Sequence, residues 1–283
     1  MSLSIQTNIA NLVGQNTIGK TQDALIQSME RLSTGYRINS ASDDAAGLQI
    51  SNRLEAQTRG ITVAIRNAGD ASSQMQTAEG AMDEMTNIAY RMNDLATQAA
   101  NGTSSLADKT AMQAEFAALN DELVSISANT SFGGQKLLGA SGAFGASAGV
   151  TYQVGASIAE TLKVNVKTEV TDIATAVGTA GASTMGSLAT ATGATAAMTK
   201  LSTFIDTVGK ARSAFGANIN RLDHTVANLG NMQENSASAK SRIMDTDMAA
   251  ESSAMSKNSM LMQSGANILK QTQMIPQLAM SLL

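Results

Sequence analysis

Cysteine and tryptophan are absent from this chain of 283 residues, and only 3% of its residues are aromatic. Without cysteine, neither disulfide bonds nor thiolate chemistry is available to the protein. Its apolar surface therefore comes mainly from Ala, Leu, Ile, Val and 17 Met residues. Because these side chains are small or flexible, they favour helices packed side by side over a core built on aromatic rings.

Clusters of basic residues and long apolar runs are also missing. The net charge of −4 and the scattered Lys and Arg residues exclude nucleic acid as an expected partner. No apolar run reaches the roughly 18–20 residues that span a bilayer, so we expect no membrane insertion. Residues 1–20 carry neither a basic region nor an unbroken apolar stretch, which is not the pattern of a cleaved signal peptide. Any export would then use another route.

Residues suited to catalysis are scarce. His224, beside Asp223, is the single histidine of the sequence. A zinc site therefore has too few of its typical ligands, and a Ser–His–Asp triad would depend on this one imidazole. The glycine-bearing stretch 142–149 lacks the lysine of a phosphate-binding loop and is interpreted as a connection. We therefore predict no enzyme, no metal site and no cofactor.

A seven-residue apolar period dominates what is present. Residues 44–100 contain two rows of mostly apolar or small residues, three positions apart, like the a and d positions of a coiled coil. The rows are Leu54, Ile61, Ala68, Met75, Met82, Ala89 and Ala96, and Gln57, Ala64, Ala71, Ala78, Met85, Met92 and Ala99. They predict one long helix with a closely packed partner.

Three further segments carry the same period. Their rows are Ile18, Leu25 and Leu32; Leu201, Val208, Phe215, Leu222 and Leu229; and Leu261, Ile268, Ile275 and Leu282. Strong helical signals at both ends, with a different composition between them, indicate a chain that runs out, turns and returns. We therefore predict a mainly α fold of long antiparallel helices or coiled coil, with a small β-hairpin region, that is rod-like and not compact.

The middle of the chain is predicted to hold the turn. Residues 101–105 (NGTSS) break the long helix, and an amphipathic helix is expected over about 106–129. Alternating apolar residues in 150–154 and 162–166 predict a β-hairpin. Residues 174–199 are mostly Ala, Ser, Thr or Gly, so we expect a surface connection that contributes little core.

Charged side chains are rare at both ends. Residues 1–22 contain only Lys20, and residues 254–283 contain only Lys257 and Lys270. Segments with apolar rows and so few charges expose too much apolar surface to be stable in a soluble monomer. We expect them to be disordered alone and buried after assembly.

Two adjacent carboxylates, Asp43 and Asp44, precede a helix-like run. A metal site would need further acidic or amide ligands at suitable spacing, as in calcium-binding loops, and none follow. Ser42 is suited to cap a helix N-terminus, and carboxylates in a first turn interact favourably with the helix dipole. The pattern therefore predicts a helix start.

Several long motifs resemble those of bacterial flagellin, in that family's order and spacing. They are SIQTNIANL and RLSTGYRINSASDDAAGLQISNRL near the start, DLATQAANGT and TSFGGQKLLG farther on, and a C-terminal stretch that begins LGNMQENSASAKSRIMDTDMAAESSAMS. The likeness covers about residues 1–170 and 200–283. It implies a structural subunit that assembles with itself, by heterologous contacts that do not close, into a helical filament for swimming.

The resemblance also implies a domain organisation, in a short form with core domains only. Residues 1–38 and 239–283 would form a filament-core coiled coil, lined by the rows of Ile18 and Leu261. Residues 39–173 and 200–238 would form a rod domain, joined through the variable connection 174–199.

Partners and location follow from the same resemblance. Flagellins leave the cell unfolded through a type III export channel, with a chaperone on the C-terminal segment. In the extracellular filament they meet cap and hook-associated proteins.

Host recognition is implied as well, because flagellins are ligands of the Toll-like receptor for flagellin. The family's recognition motif falls on Arg91, Asp94 and Leu95, with Glu115 on the facing helix. This chain has Asn93 and Asp94 where typical stimulatory members have a second Arg and a Glu.

Three other interpretations remain open from the sequence. A hook–filament junction protein would share both ends but would not form long filaments alone. A cytoplasmic coiled-coil scaffold would explain the heptads but not the charge-poor ends. An enzyme hidden in the middle is the weakest alternative, since that region offers no nucleophile–base pair.

Overall fold

Long helices dominate the computed structural model, which describes residues 8–139, 141–146, 149–179 and 182–281. The helices are α1 Ile9–Thr34, α2 Ala45–Ala100, α3 Leu106–Asn129, α4 Lys167–Val177, α5 Ala191–Met244 and α6 Met248–Ser281. The strands are β1 Ser131–Phe132, β2 Gln135–Lys136, β3 Val150–Gln153, β4 Thr161–Val164, β5 Gly178–Thr179 and β6 Ala182–Ser183. Each strand pairs with its neighbour in sequence as a two-stranded antiparallel sheet. The predicted mainly α fold with small hairpins is confirmed.

The chain divides into two compact units. We call the first the terminal unit, which comprises Met1–Thr58 and Glu234–Leu283. The central unit is Arg59–Gln233. Helices α2 and α5 each contribute residues to both units.

In the terminal unit, α1 and α6 pack antiparallel. The side-chain amide of Asn8, the N-cap of α1, donates to the carbonyl of Thr272 at 3.1 Å, and Arg31 near the other end lies 3.7 Å from the carboxylate of Glu251. Gly35 ends α1 with φ 76°, a left-handed conformation that glycine adopts without a Cβ clash. The two helices thus run side by side over most of their length.

The core of the central unit lies along α2 and α5. From Ile61 to Ala99, both predicted rows of α2 are buried, and so is the predicted row of α5 from Leu201 to Leu229. The α2 rows fail at their start, where Leu54 is half-buried and Gln57 is exposed. The heptad prediction is therefore confirmed within this unit.

Polar contacts also join α2 to its neighbours in the central unit. Arg212 of α5 lies 2.8 Å from Glu79 and 2.9 Å from Asp83 of α2. Tyr152 of β3 donates its hydroxyl to Gln74 at 2.5 Å, and burial raises the pKa of Tyr152 to about 12. These contacts hold α5 and the β3–β4 hairpin against α2.

The predicted elements of the middle are confirmed. Helix α3 follows the break at 101–105, and a capping box between Ser105 and Asp108 begins it. In the β3–β4 hairpin, Val150 pairs with Val164 and Tyr152 with Leu162. The alternating pattern therefore indicated the strand pair correctly.

Residues 174–199 differ from expectation. Met185, Leu188, Ala194 and Ala197 are all buried, and α5 begins at Ala191. The expectation of little core here is wrong because alanines three residues apart can share one helix face and be buried against a neighbour. Low complexity described the composition of this segment but not its packing.

Candidate assembly surface

The seam between α1 and α6 depends on small residues. A Cβ added at Gly265 would lie 2.9 Å from Cγ1 of Ile18, and one added at Gly14 would lie 3.6 Å from Leu269. Glycine at position 265 therefore permits close approach of the two helices, whereas a Cβ at position 14 would make an ordinary contact. Ile18, Leu25 and Leu32, the row predicted for α1, are half-buried.

The row predicted for α6 does not face α1 within one chain. Leu261 is 49% exposed and Ile268 is 60% exposed. The half-buried face instead includes Met262, Gly265 and Leu269. The side chain of Ile275 and the whole of Leu282 lie outside the part of the chain that the structure describes. Their place in a filament-core seam stays a prediction.

Large apolar side chains remain exposed on both terminal helices. On α1 they are Ile9, Leu12, Val13, Ile26 and Met29, and on α6 beyond its first turn they are Met260, Leu261, Ile268 and Met274. Large apolar side chains exposed in such number on two neighbouring helices are candidates for an interaction surface. We call these nine residues the apolar rows.

The loop between α1 and α2 is held by hydrogen bonds to Asp43. The carboxylate of Asp43 accepts from the backbone N–H groups of Asn39 (3.1 Å) and Ser40 (2.9 Å) and from the side-chain amide of Gln27. The hydrogen bonds from Ser40 and Asn39 lower the pKa of Asp43. Asp43 thus stabilises a turn before the helix.

The predicted helix cap moves by two residues. Helix α2 begins at Ala45, and Asp44 Oδ1 accepts from the backbone N–H of Gly47 at 2.8 Å. Ser42 instead shares a hydrogen bond with the hydroxyl of Ser40. Asp44 is therefore the capping residue, and Ser42 as the cap is wrong. The sequence could not separate them because Ser and Asp are comparably good caps.

This loop also contacts the connection between α5 and α6. The N–H of Arg37 donates to the carbonyl of Met244 at 2.6 Å, and the N–H of Thr246 donates to the carbonyl of Gly35 at 3.0 Å. The guanidinium of Arg37 donates to the carbonyl of Ile243 at 3.0 Å. Backbone contacts between residues about 200 positions apart leave no periodic signal. The sequence analysis therefore did not predict these hydrogen bonds between the two loops.

Three of the four predicted receptor-recognition residues are exposed. Arg91 of α2 donates through Nε and Nη2 to Glu115 of α3 at 2.9 and 2.7 Å, and about half of each side chain remains exposed. Asp94 is exposed, whereas Leu95 is 3% exposed and packs in the core. Leu95 therefore does not belong to the exposed surface around Arg91.

Other kinds of site find little support in the described part of the chain. There, no three His, Asp or Glu residues come together in a way that could hold a metal ion. None of the helices among the described residues has the length and apolar content that a membrane crossing needs. His224 is exposed on α5.

Comparisons with known proteins match most of the chain. A family model described as the bacterial flagellin N-terminal helical region matches residues 5–143, and one for the C-terminal helical region matches residues 198–283. The chain is 37% identical to polar flagellin F of Vibrio parahaemolyticus and 35% identical to flagellin E of Vibrio cholerae, with 100% of both chains covered in each case. The first alignment spans 381 positions, more than the 283 residues of this chain. A crystal structure of Bacillus cereus flagellin is similar at 31% identity and a TM-score of 0.49, over 58% of this chain and 88% of that one.

Proposed function

Because this chain belongs to the bacterial flagellin family, we propose that its apolar rows are the surfaces through which copies assemble by heterologous, non-closing contacts. Membership makes the chain a structural subunit of the flagellar filament that polymerises with itself, and not an enzyme. The proposal concerns how that assembly is built.

The exposure of the apolar rows carries this proposal. Ile9 and Leu12 are each 66% exposed, and Ile268 is 60% exposed. Burying such side chains is favourable by about 1.5–3 kcal/mol each. Contacts between two different patches generate an open helical filament when the rotation does not close. The rows on α1 and α6 are chemically similar but belong to different helices, which suits such contacts.

Export and accessory partners follow from the same surface. A chaperone on α6 would cover the apolar row around Ile268 before assembly. Export unfolded, by the type III route, would deliver that row to the filament tip, where cap and hook-associated proteins act. In the terminal unit the α1–α6 seam is only half-buried, so little structure needs to be undone there before a chaperone binds.

Substitution within an apolar row tests the assembly. We expect Ile268→Asp to abolish elongation of sonicated wild-type filament seeds, because it places a charge in a surface that must lose water. Gln263→Asp adds the same charge at an exposed polar position of α6 and is the matched control. Electron microscopy measures filament length, and circular dichroism checks the monomer.

Wild-type elongation of the Ile268→Asp variant would contradict the assembly surface. Short stubs from the wild-type chain itself would favour the junction-protein alternative.

Host recognition is a second candidate function, supported by the exposed guanidinium of Arg91. Arginine is enriched among the residues that dominate protein interfaces, where truncation often costs about 2 kcal/mol or more. A loss of about 2 kcal/mol corresponds to more than a tenfold loss of affinity. We therefore expect Arg91→Ala to weaken signalling through the Toll-like receptor for flagellin by about tenfold or more. A cell-based receptor reporter measures it.

Glu115→Gln, which removes the ion pair but keeps Arg91, tests separately whether Glu115 also contributes to recognition. Unchanged signalling by a folded Arg91→Ala monomer would rule Arg91 out as a receptor contact.

A further inference from the structure

Ile158 projects from the turn between β3 and β4. Its side chain is 96% exposed, more than any other exposed large hydrophobic residue that the structure describes. Single exposed apolar residues are common on protein surfaces. The turn around this one, however, is held in place by several hydrogen bonds and by a contact with α2.

Gln153 and Glu160 fix the shape of this turn. The side-chain amide of Gln153 donates to the carbonyls of Gly155 at 2.9 Å and Ser157 at 2.6 Å. The carboxylate of Glu160 accepts from the backbone N–H of Ser157 at 3.0 Å. These bonds enclose Ile158, so the residue is presented on an ordered turn.

The turn also rests on helix α2. A Cβ added at Gly60 would lie 2.8 Å from Cβ of Ala156, so the turn approaches the helix backbone directly. The side-chain amide of Asn67 donates to the carbonyl of Gln153 at 3.1 Å. An apolar side chain held rigidly away from its own core loses little conformational entropy on binding elsewhere.

A groove of matching character lies on the first turns of α2. It is a shallow depression of about 390 Å³, open to solvent and lined mainly by apolar atoms, including those of Ala45, Leu48 and Ala56. Asn52 and Arg53 complete the same helix face. We call this the α2 groove.

We propose that Ile158 of one copy docks into the α2 groove of a neighbouring copy in the filament. This inference rests on the proposed heterologous assembly, because it requires two different patches on every copy. Charge supports the pairing. Glu160 is the charged residue of the turn 154–161, and Arg53 is the charged residue among those lining the groove.

The cysteine-free sequence allows a direct test. The variants Ile158→Cys and Asn52→Cys are mixed in equal amounts, grown on wild-type seeds and oxidised. A disulfide requires Cα atoms about 4.4–6.8 Å apart. We therefore expect a covalent dimer of the two variants in filaments. Filaments of either variant alone should give about tenfold less dimer or lower, because they contain a cysteine at only one of the two docking positions.

A control and a spare position keep the test decisive. Ala118→Cys, exposed on α3, replaces Asn52→Cys and should give at least about tenfold less dimer with Ile158→Cys. If Asn52→Cys fails to enter filaments, Gln49→Cys on the same face takes its place.

Polymerisation gives a second readout. Ile158→Asp should raise the critical concentration about tenfold or more, whereas Ile158→Leu should leave it close to that of the wild type. Filaments that form without the covalent dimer overturn the docking and leave the proposed function standing. Wild-type chains that do not elongate seeds overturn the proposed function, and the docking with it.

Discussion

The terminal and central units use the same seven-residue period but build different interiors. In the central unit the fully buried side chains include Phe116, Phe144, Phe204 and Phe215. Among the described residues of the terminal unit, Ile38 is the one buried hydrophobic side chain. Periodicity therefore predicts that helices pack, but side-chain size determines whether they pack into a core.

Most of the other buried side chains of the terminal unit that the structure describes are serines. Ser28, Ser51 and Ser236 are buried there, and Gly14 and Gly265 line the α1–α6 seam. Small side chains let helices approach closely but remove little apolar surface from water. The central unit therefore has a core of large apolar side chains, whereas the terminal unit leaves several such side chains exposed, as the proposed assembly requires.

The largest effect that we expect is on the free energy of unfolding, when a large apolar side chain is replaced by alanine in one unit or the other. Phe215 is fully buried and meets Phe144 edge-to-face at 4.8 Å between ring centroids. Phe215→Ala should lower the free energy of unfolding by about 3–5 kcal/mol. Ile268→Ala, in an exposed row of the terminal unit, should change it by less than about 0.5 kcal/mol.

Urea unfolding of the monomer, followed by circular dichroism, measures both effects. Equal destabilisation by the two variants would break the comparison, because it would mean that the terminal unit has a core of its own.

Much of the central unit could be predicted from sequence. The rows from Ile61 to Ala99 and from Leu201 to Leu229 are buried as expected, because most residues on the other faces of these helices are polar. The hairpin with Val150 and Val164 was equally readable, since alternation of apolar residues is specific to strands.

The terminal unit and the candidate sites were harder to predict. On α6, apolar residues occupy adjacent positions such as Leu261 and Met262, so the period could not show which row meets α1. Leu95 lies one position from exposed Asp94 but belongs to the buried face of α2. Ile158 carried no pattern at all, because its exposure depends on hydrogen bonds within the turn and on the contact of the turn with α2.

Acidification should have a smaller effect, a loss of local stability at two turns, and this loss should also differ between the two units. Hydrogen bonds from Ser40 and Asn39 hold the pKa of Asp43 below its ordinary value of 3.8. Because the folded pKa is lowered, the ionised carboxylate stabilises the loop at any pH above 3.8, and this stabilisation is lost as the pH falls through the lowered pKa. Asp108, in the central unit, has a pKa lowered in the same way by Ser105.

NMR shifts of the backbone amides compare the two acidic turns. We expect the Asn39 and Ser40 signals to move towards disordered values below pH 3.8, because little buried surface holds that loop. Helix α3 should lose only its first turn, since Met112 and Phe116 anchor it in the core. Asp43→Asn should remove the titration of the loop signals. Unchanged loop signals at low pH, or melting of α3 before the loop, would show that the core does not decide which unit resists acid.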